Sequence, residues 1–96
     1  MKISRSKLQV WMWQVLQRDD YTCRYPGCEA NTHLDAAHLL PVGRRPEMAL
    51  FVPNGVTLCR GHHDYLHNHP LEWERFVALE HDRRMKEYGI TIRAAA

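Results

Sequence analysis

Apolar residues at Leu8, Trp11, Met12, Val15 and Leu16 recur at three- and four-residue steps, which predicts an amphipathic helix over residues 6–18. Ser4 or Ser6 is its N-cap, and its aromatic face packs on the core. From Tyr21 to Asn31 the periodicity stops around a Pro26-Gly27 dipeptide, so a tight loop or knuckle is expected there. The stretch from Leu34 to Leu40 is short, apolar and closed by Pro41, which suits a brief strand. Gly43-Arg44-Arg45-Pro46 reads as a basic loop and Pro53-Asn54-Gly55 as a second turn, with an irregular, hairpin-like excursion between them. Val56-Thr57-Leu58 is the candidate strand that follows. Past Cys59 a short helix through His63 to His67 would put those two histidines on one face, four residues apart. Asn68 as a cap and Pro70 as a first helical residue open a further helix over about 70–88, with apolar positions Trp73, Phe76, Val77 and Leu79 and a stop at Gly89. The chain reads as one α+β domain over residues 1–96, with no repeat or linker; its Ala94-Ala95-Ala96 end is a natural tail or a cloning remnant.

A chain of 96 residues buries only about 60–65% of the surface its unfolded form exposes, so an apolar core alone leaves it marginal and a staple is expected. Three cysteines and seven histidines offer one. The odd cysteine count argues against a secreted disulfide scaffold and in favour of metal. No run of about 18 apolar residues is present to span a bilayer, and the N-terminal stretch lacks the pattern of a signal peptide. The expectation is a soluble, cytoplasmic protein with no membrane role. A net charge of +2 permits nucleic-acid binding without demanding it.

Cys23-x4-Cys28 and Cys59-x2-His62 supply four soft or borderline ligands in two close pairs, the layout of a closed tetrahedral zinc site. The alternative is three buried free cysteines and a surface histidine. A closed site leaves no position for substrate, so it serves folding.

Three blocks taken together resemble the HNH endonuclease family: Arg18-Asp19-Asp20-Tyr21-Thr22-Cys23, then Asp35-Ala36-Ala37-His38-Leu39-Leu40-Pro41, then Asn54-Gly55-Val56-Thr57-Leu58-Cys59-Arg60-Gly61-His62-His63. The resemblance covers about residues 15–69, and paired ligands flanking a hairpin are typical of the family's zinc-bearing branch, with His62 standing where a cysteine is usual. It implies a ββα-metal (His-Me finger) domain acting as a metal-dependent DNA endonuclease, a nicking enzyme if it works alone, of the kind found in phages and mobile elements. By the same resemblance His38 is the general base, Asn54 holds that histidine and its loop, and His63 ligates a catalytic divalent ion. Neutral imidazole suits the base role because it titrates near neutrality.

His63-x3-His67 on one helix face can chelate a single ion without reference to any family. The residue before the base is usually an aspartate or histidine ligand in the family, and here it is Ala37. Asp35 shares a strand face with it and is expected either to take over as ligand or to form a salt bridge to an arginine. With few protein ligands, Mg²⁺ or Mn²⁺ is as suitable as a transition metal. Arg24, Arg44, Arg45 and Arg60 lie in or beside the loops as candidate contacts to double-stranded DNA, while Arg83, Arg84 and Lys86 read as a solvated helix face. The rival reading is a zinc-stapled DNA-binding module that has lost its catalytic ion, and a third is a purely structural knuckle.

Overall fold

The computed structural model describes residues 3–90, so Ala94-Ala95-Ala96 falls outside it. Helix α1 spans Arg5–Arg18, strand β1 Leu34–His38, strand β2 Gly55–Cys59, helix α2 Arg60–His67 and helix α3 Pro70–Tyr88. The two strands pair antiparallel, with Leu34 opposite Cys59 and His38 opposite Gly55. No helix among the described residues is long and apolar enough to cross a membrane.

Helix α1 starts where Ser4 accepts the Lys7 amide, one residue earlier than the apolar spacing predicts. Its buried stripe is Trp11, Val15 and Leu16, while Trp13 and Leu8 face outward, so only one of its two tryptophans joins the core. Strand β1 stops at His38 because the next amide, Leu39 N–H, leaves the ladder and donates to the Asn54 carbonyl. Alternation along β1 then sets two faces. Ala36 and His38 line a cavity with Trp11 and Met12 of α1, whereas Ala37 and, at the strand's end, His38 line another with His63 and Leu66 of α2. Between these layers lie Ala37, Leu39, Leu40, Val56, Leu58, Leu66 and Phe76. Gly55 permits the close approach of α1 to β2: a Cβ there would overlap Val15 and fall 2.7 Å from Trp11.

The excursion between the strands holds two short 3-10 turns, Pro46–Met48 and Val52–Asn54. The helix after Cys59 begins at Arg60, three residues ahead of His63. Asn68 closes α2 rather than opening α3, its amide bonding back to the Asp64 and Tyr65 carbonyls, and His69 precedes Pro70. Gly89, with φ of 67°, terminates α3 in the left-handed conformation that glycine adopts without strain.

The solvated face expected on α3 is corrected at Arg84, which is fully buried, while Leu79 is exposed. The buried stripe of this helix continues Phe76, Glu80, Arg84 at four-residue steps. Arg84 donates from Nε to the Pro53 carbonyl (2.8 Å) and from Nη2 to the Gly55 carbonyl (2.7 Å), and Glu80 lies 3.1 Å from it. Arg18 of α1 reaches the same turn, donating to the Val52 and Gly55 carbonyls. Two guanidinium groups from opposite ends of the chain thus hold the turn that carries Asn54.

Candidate functional site

The metal-ligating atoms of Cys23, Cys28, Cys59 and His62 lie within 4.8 Å of one another, close enough to hold one ion. Pro26-Gly27 makes the first ligand pair possible, because Gly27 takes φ of 82° and lets the Cys28 amide close on the Tyr25 carbonyl. The second pair sits where β2 becomes α2. His62 Nδ1 is 3.3 Å from Cys59 Sγ and 3.8 Å from Cys23 Sγ, bracketing the roughly 3.6 Å edge expected of a tetrahedron with zinc–sulfur and zinc–nitrogen bond lengths. The His62 ring is fixed by stacking on Tyr25, centroids 4.1 Å apart. Burial pushes the Cys23 thiol up to about 11, whereas the Ala30 amide helps hold Cys28 below its ordinary value. A cation is what this donor set needs to become three thiolates, and binding it releases protons.

Around His38 the hydrogen bonds settle which nitrogen is free. Nε2 lies 2.9 Å from the Ala49 carbonyl, which can only accept, so Nε2 carries the proton and neutral Nδ1 keeps its lone pair. The ring lies flat on Trp11, at 4.1 Å and 4°. Trp11 is itself anchored by its Nε1–H to the Phe51 carbonyl (3.0 Å). Burial lowers the His38 pKa below the ordinary 6.5, against the opposing pull of the Ala49 carbonyl. Asn54 is fully buried and ties this loop together: its Oδ1 accepts from Leu40 N–H at 2.8 Å, and its Nδ2 donates to the Leu40 and Met48 carbonyls.

The mirror arrangement holds at His63. Its Nδ1 lies 3.1 Å from Asp35 Oδ2, so Nδ1–H is given to the carboxylate and Nε2 is the ring nitrogen that Asp35 does not engage. The same carboxylate takes a two-pronged bond from Arg60, at 2.9 and 3.2 Å. Burial works against ionisation of Asp35, but Arg60 and His63 together outweigh it and hold the carboxyl below its ordinary range. Asp35 forms the expected salt bridge to an arginine and adds a bond to His63. His38, His63 and His67 line one cavity of about 340 Å³ with Ala37. Among the described residues, the Cys3His set is the only group of three or more potential ligands that converges, so His63, His67 and Asp35 do not form a second closed site.

The four loop arginines differ in their surroundings. Arg24 pairs with Asp19 (2.9 Å) and Glu87 (3.6 Å) and is half-buried. Arg45 pairs with Glu47 and Arg60 with Asp35, both at the surface, and Arg44 makes no ion pair among the described residues. Sequence reasoning missed Asp19, whose carboxylate binds Arg18, Arg24 and the Thr57 amide while 3% exposed. It also missed Trp11 as the platform for His38, although an aromatic residue among the buried positions of α1 was a signal.

Compared with family models, with curated proteins and with solved structures, the chain matches none.

Proposed function

We propose that this protein is a metal-dependent DNA endonuclease of the HNH type, its hairpin and α2 forming a ββα-metal site and its Cys3His set holding structural zinc. One observation carries the reading: two histidines line a single cavity, His38 bonded through Nε2 to a backbone carbonyl and His63 through Nδ1 to a carboxylate. Free Nδ1 on a ring kept neutral by burial is a base able to take a proton from an attacking water at physiological pH. Free Nε2 on a ring aimed by a carboxylate is a metal ligand. Held by His63 and His67, with water filling the other positions, Mg²⁺ or Mn²⁺ would polarise the phosphate and stabilise charge on the leaving 3′ oxygen. The departing 3′ oxygen takes a proton from solvent as His38 gives its own up to solvent, and the products are a 5′-phosphate and a 3′-hydroxyl. Arg24, Arg44, Arg45 and Arg60 are the cations offered to backbone phosphates, Arg44 being without an ion pair among the described residues.

Supercoiled plasmid incubated with the zinc-loaded protein and Mg²⁺ or Mn²⁺ is expected to relax to open circles, since a lone centre cuts one strand per encounter. Plasmid that stays supercoiled under every ion tested, in protein that binds DNA, establishes the second reading instead. That reading is a DNA-binding module without turnover, favoured by the absence of a third convergent ligand beside His63 and His67 among the described residues.

Asp35 offers a finer test of the site. Asp35→Ala is expected to raise the Mn²⁺ concentration for half-maximal nicking by about 10-fold or more, the usual weight of an orienting partner of a metal-ligating histidine. Ala37→Asp, on the same strand face and lining the cavity, should recover part of that shift by adding a direct carboxylate. If Asp35→Ala lowers stability and leaves the metal dependence unchanged, the carboxylate serves only Arg60.

A further inference from the structure

The cavity that holds His38 and His63 has an unexpected chemical character for a phosphodiester site. Apart from its three imidazoles it is walled by Ala37, Pro41, Leu66, Pro70 and the half-buried Trp73 of α3. Phosphate and deoxyribose hydroxyls gain nothing from such walls, since removing them from water without hydrogen bonds is costly. A flat apolar ring does gain, and a space of about 340 Å³ falls in the range that holds a small ligand. Across His38 the surface continues into a second cavity of about 390 Å³, lined by Trp11, Met12, Gln9 and Arg5, the last without an ion-pair partner among the described residues. A polynucleotide strand crossing His38 would thus find an aromatic slot on one side and the exposed guanidinium of Arg5 on the other.

From this juxtaposition we propose that the apolar wall of the cavity at Trp73, Pro70 and Pro41 takes an unpaired nucleobase next to the phosphate under attack, with His63 and His67 left to the ion, so that single-stranded or locally unpaired DNA is the preferred substrate. The proposal rests on the nuclease reading for its reaction, but its binding claim stands separately. In a paired duplex every base is stacked between neighbours and only its edges are offered to a protein, so none can enter a slot. An unpaired base can leave the strand at little cost and stack on an aromatic side chain, whichever base it is. Arg5 then meets the phosphate on the far side of His38. Trp73 is a specificity-determining residue in this scheme, while the proton transfer stays with His38.

The experiment measures binding of labelled oligonucleotides by fluorescence anisotropy to the zinc-loaded full chain with no Mg²⁺ or Mn²⁺ added, followed by cleavage of the same oligonucleotides once Mn²⁺ is supplied. Single strands and duplexes with a two-nucleotide bulge should bind at least about 10-fold tighter than the perfect duplex. Trp73→Ala should erase that preference while leaving duplex affinity unchanged, a loss of about 10-fold that matches one base–aromatic stack. Trp73→Phe should retain most of it, and because Phe preserves the packing on Phe76 it also guards against a fold defect in the Ala variant. Equal affinity for paired and unpaired DNA, or a Trp73→Phe variant that loses the preference as fully as Trp73→Ala, overturns the proposal. A Trp73-dependent preference without cleavage under Mn²⁺ upholds the slot and removes the nuclease reading; cleavage of perfect duplex as fast as bulged duplex does the reverse.

Discussion

Cys59→Ser is expected to leave the domain unfolded or aggregated, with the zinc content falling from about one ion per chain to none. Serine is a better helix N-cap than cysteine, so the cap that Cys59 gives the His62 amide survives the change. What disappears is one of three thiolates, and with it a metal free energy on the order of 10 kcal/mol, comparable to the whole stability of a small domain. The loss is global because Cys23 sits in the core beside Leu58 and Phe76, and Cys59 joins β2 to α2. Elemental analysis and far-ultraviolet circular dichroism check both halves. Wild-type protein that is folded yet carries no zinc would falsify the staple.

His38→Ala is expected to lower the nicking rate by about 10²- to 10⁴-fold, the usual contribution of a positioned general base, with DNA affinity nearly unchanged. Removing the ring also unstacks Trp11, which costs about 1 kcal/mol and leaves the fold intact. Retained zinc in the variant distinguishes lost chemistry from lost structure. The wild-type pH profile should place its acid limb below 6.5, because burial disfavours the charged ring and keeps the base form populated to lower pH. Stability follows the same sign: below 6.5 the unfolded chain takes up the His38 proton before the native protein does, so stability falls as pH drops through that window. An acid limb above 6.5, or near-wild-type cleavage by His38→Ala, removes His38 from the reaction.

Much of this arrangement could be read along the chain because it is local. The ligand pairs Cys23/Cys28 and Cys59/His62 are each set by one turn, and the i, i+4 relation of His63 and His67 follows from helix geometry alone. Gly89 and Pro70 mark the ends of α3 for reasons contained in single residues. The tertiary partners were not legible. Arg84 meets Pro53 and Gly55 from 31 and 29 residues away, and nothing in its own neighbourhood distinguishes it from a solvated arginine. Asp19 looks like an ordinary helix-end acid until β2 is laid beside it. Leu79 attracted notice as an apolar residue at helical spacing, yet the side of α3 that faces the protein is set by the Phe76, Glu80, Arg84 row. The cavity beneath Trp73 comes into being when α3 folds back beside α2, so no motif announces it.

His62 and His63 are consecutive, and on a helix consecutive side chains leave the axis about 100° apart. One imidazole is committed to the cysteines and Tyr25, the other to Asp35 and the cavity. An ion in the knuckle therefore fixes the rotation of α2 about its own axis, and through that rotation the aim of His63. The two sites share no ligand, but the helix couples them. If the proposed nuclease reading holds, stripping the zinc is therefore expected to lower cleavage through the aim of His63 even where the fold survives.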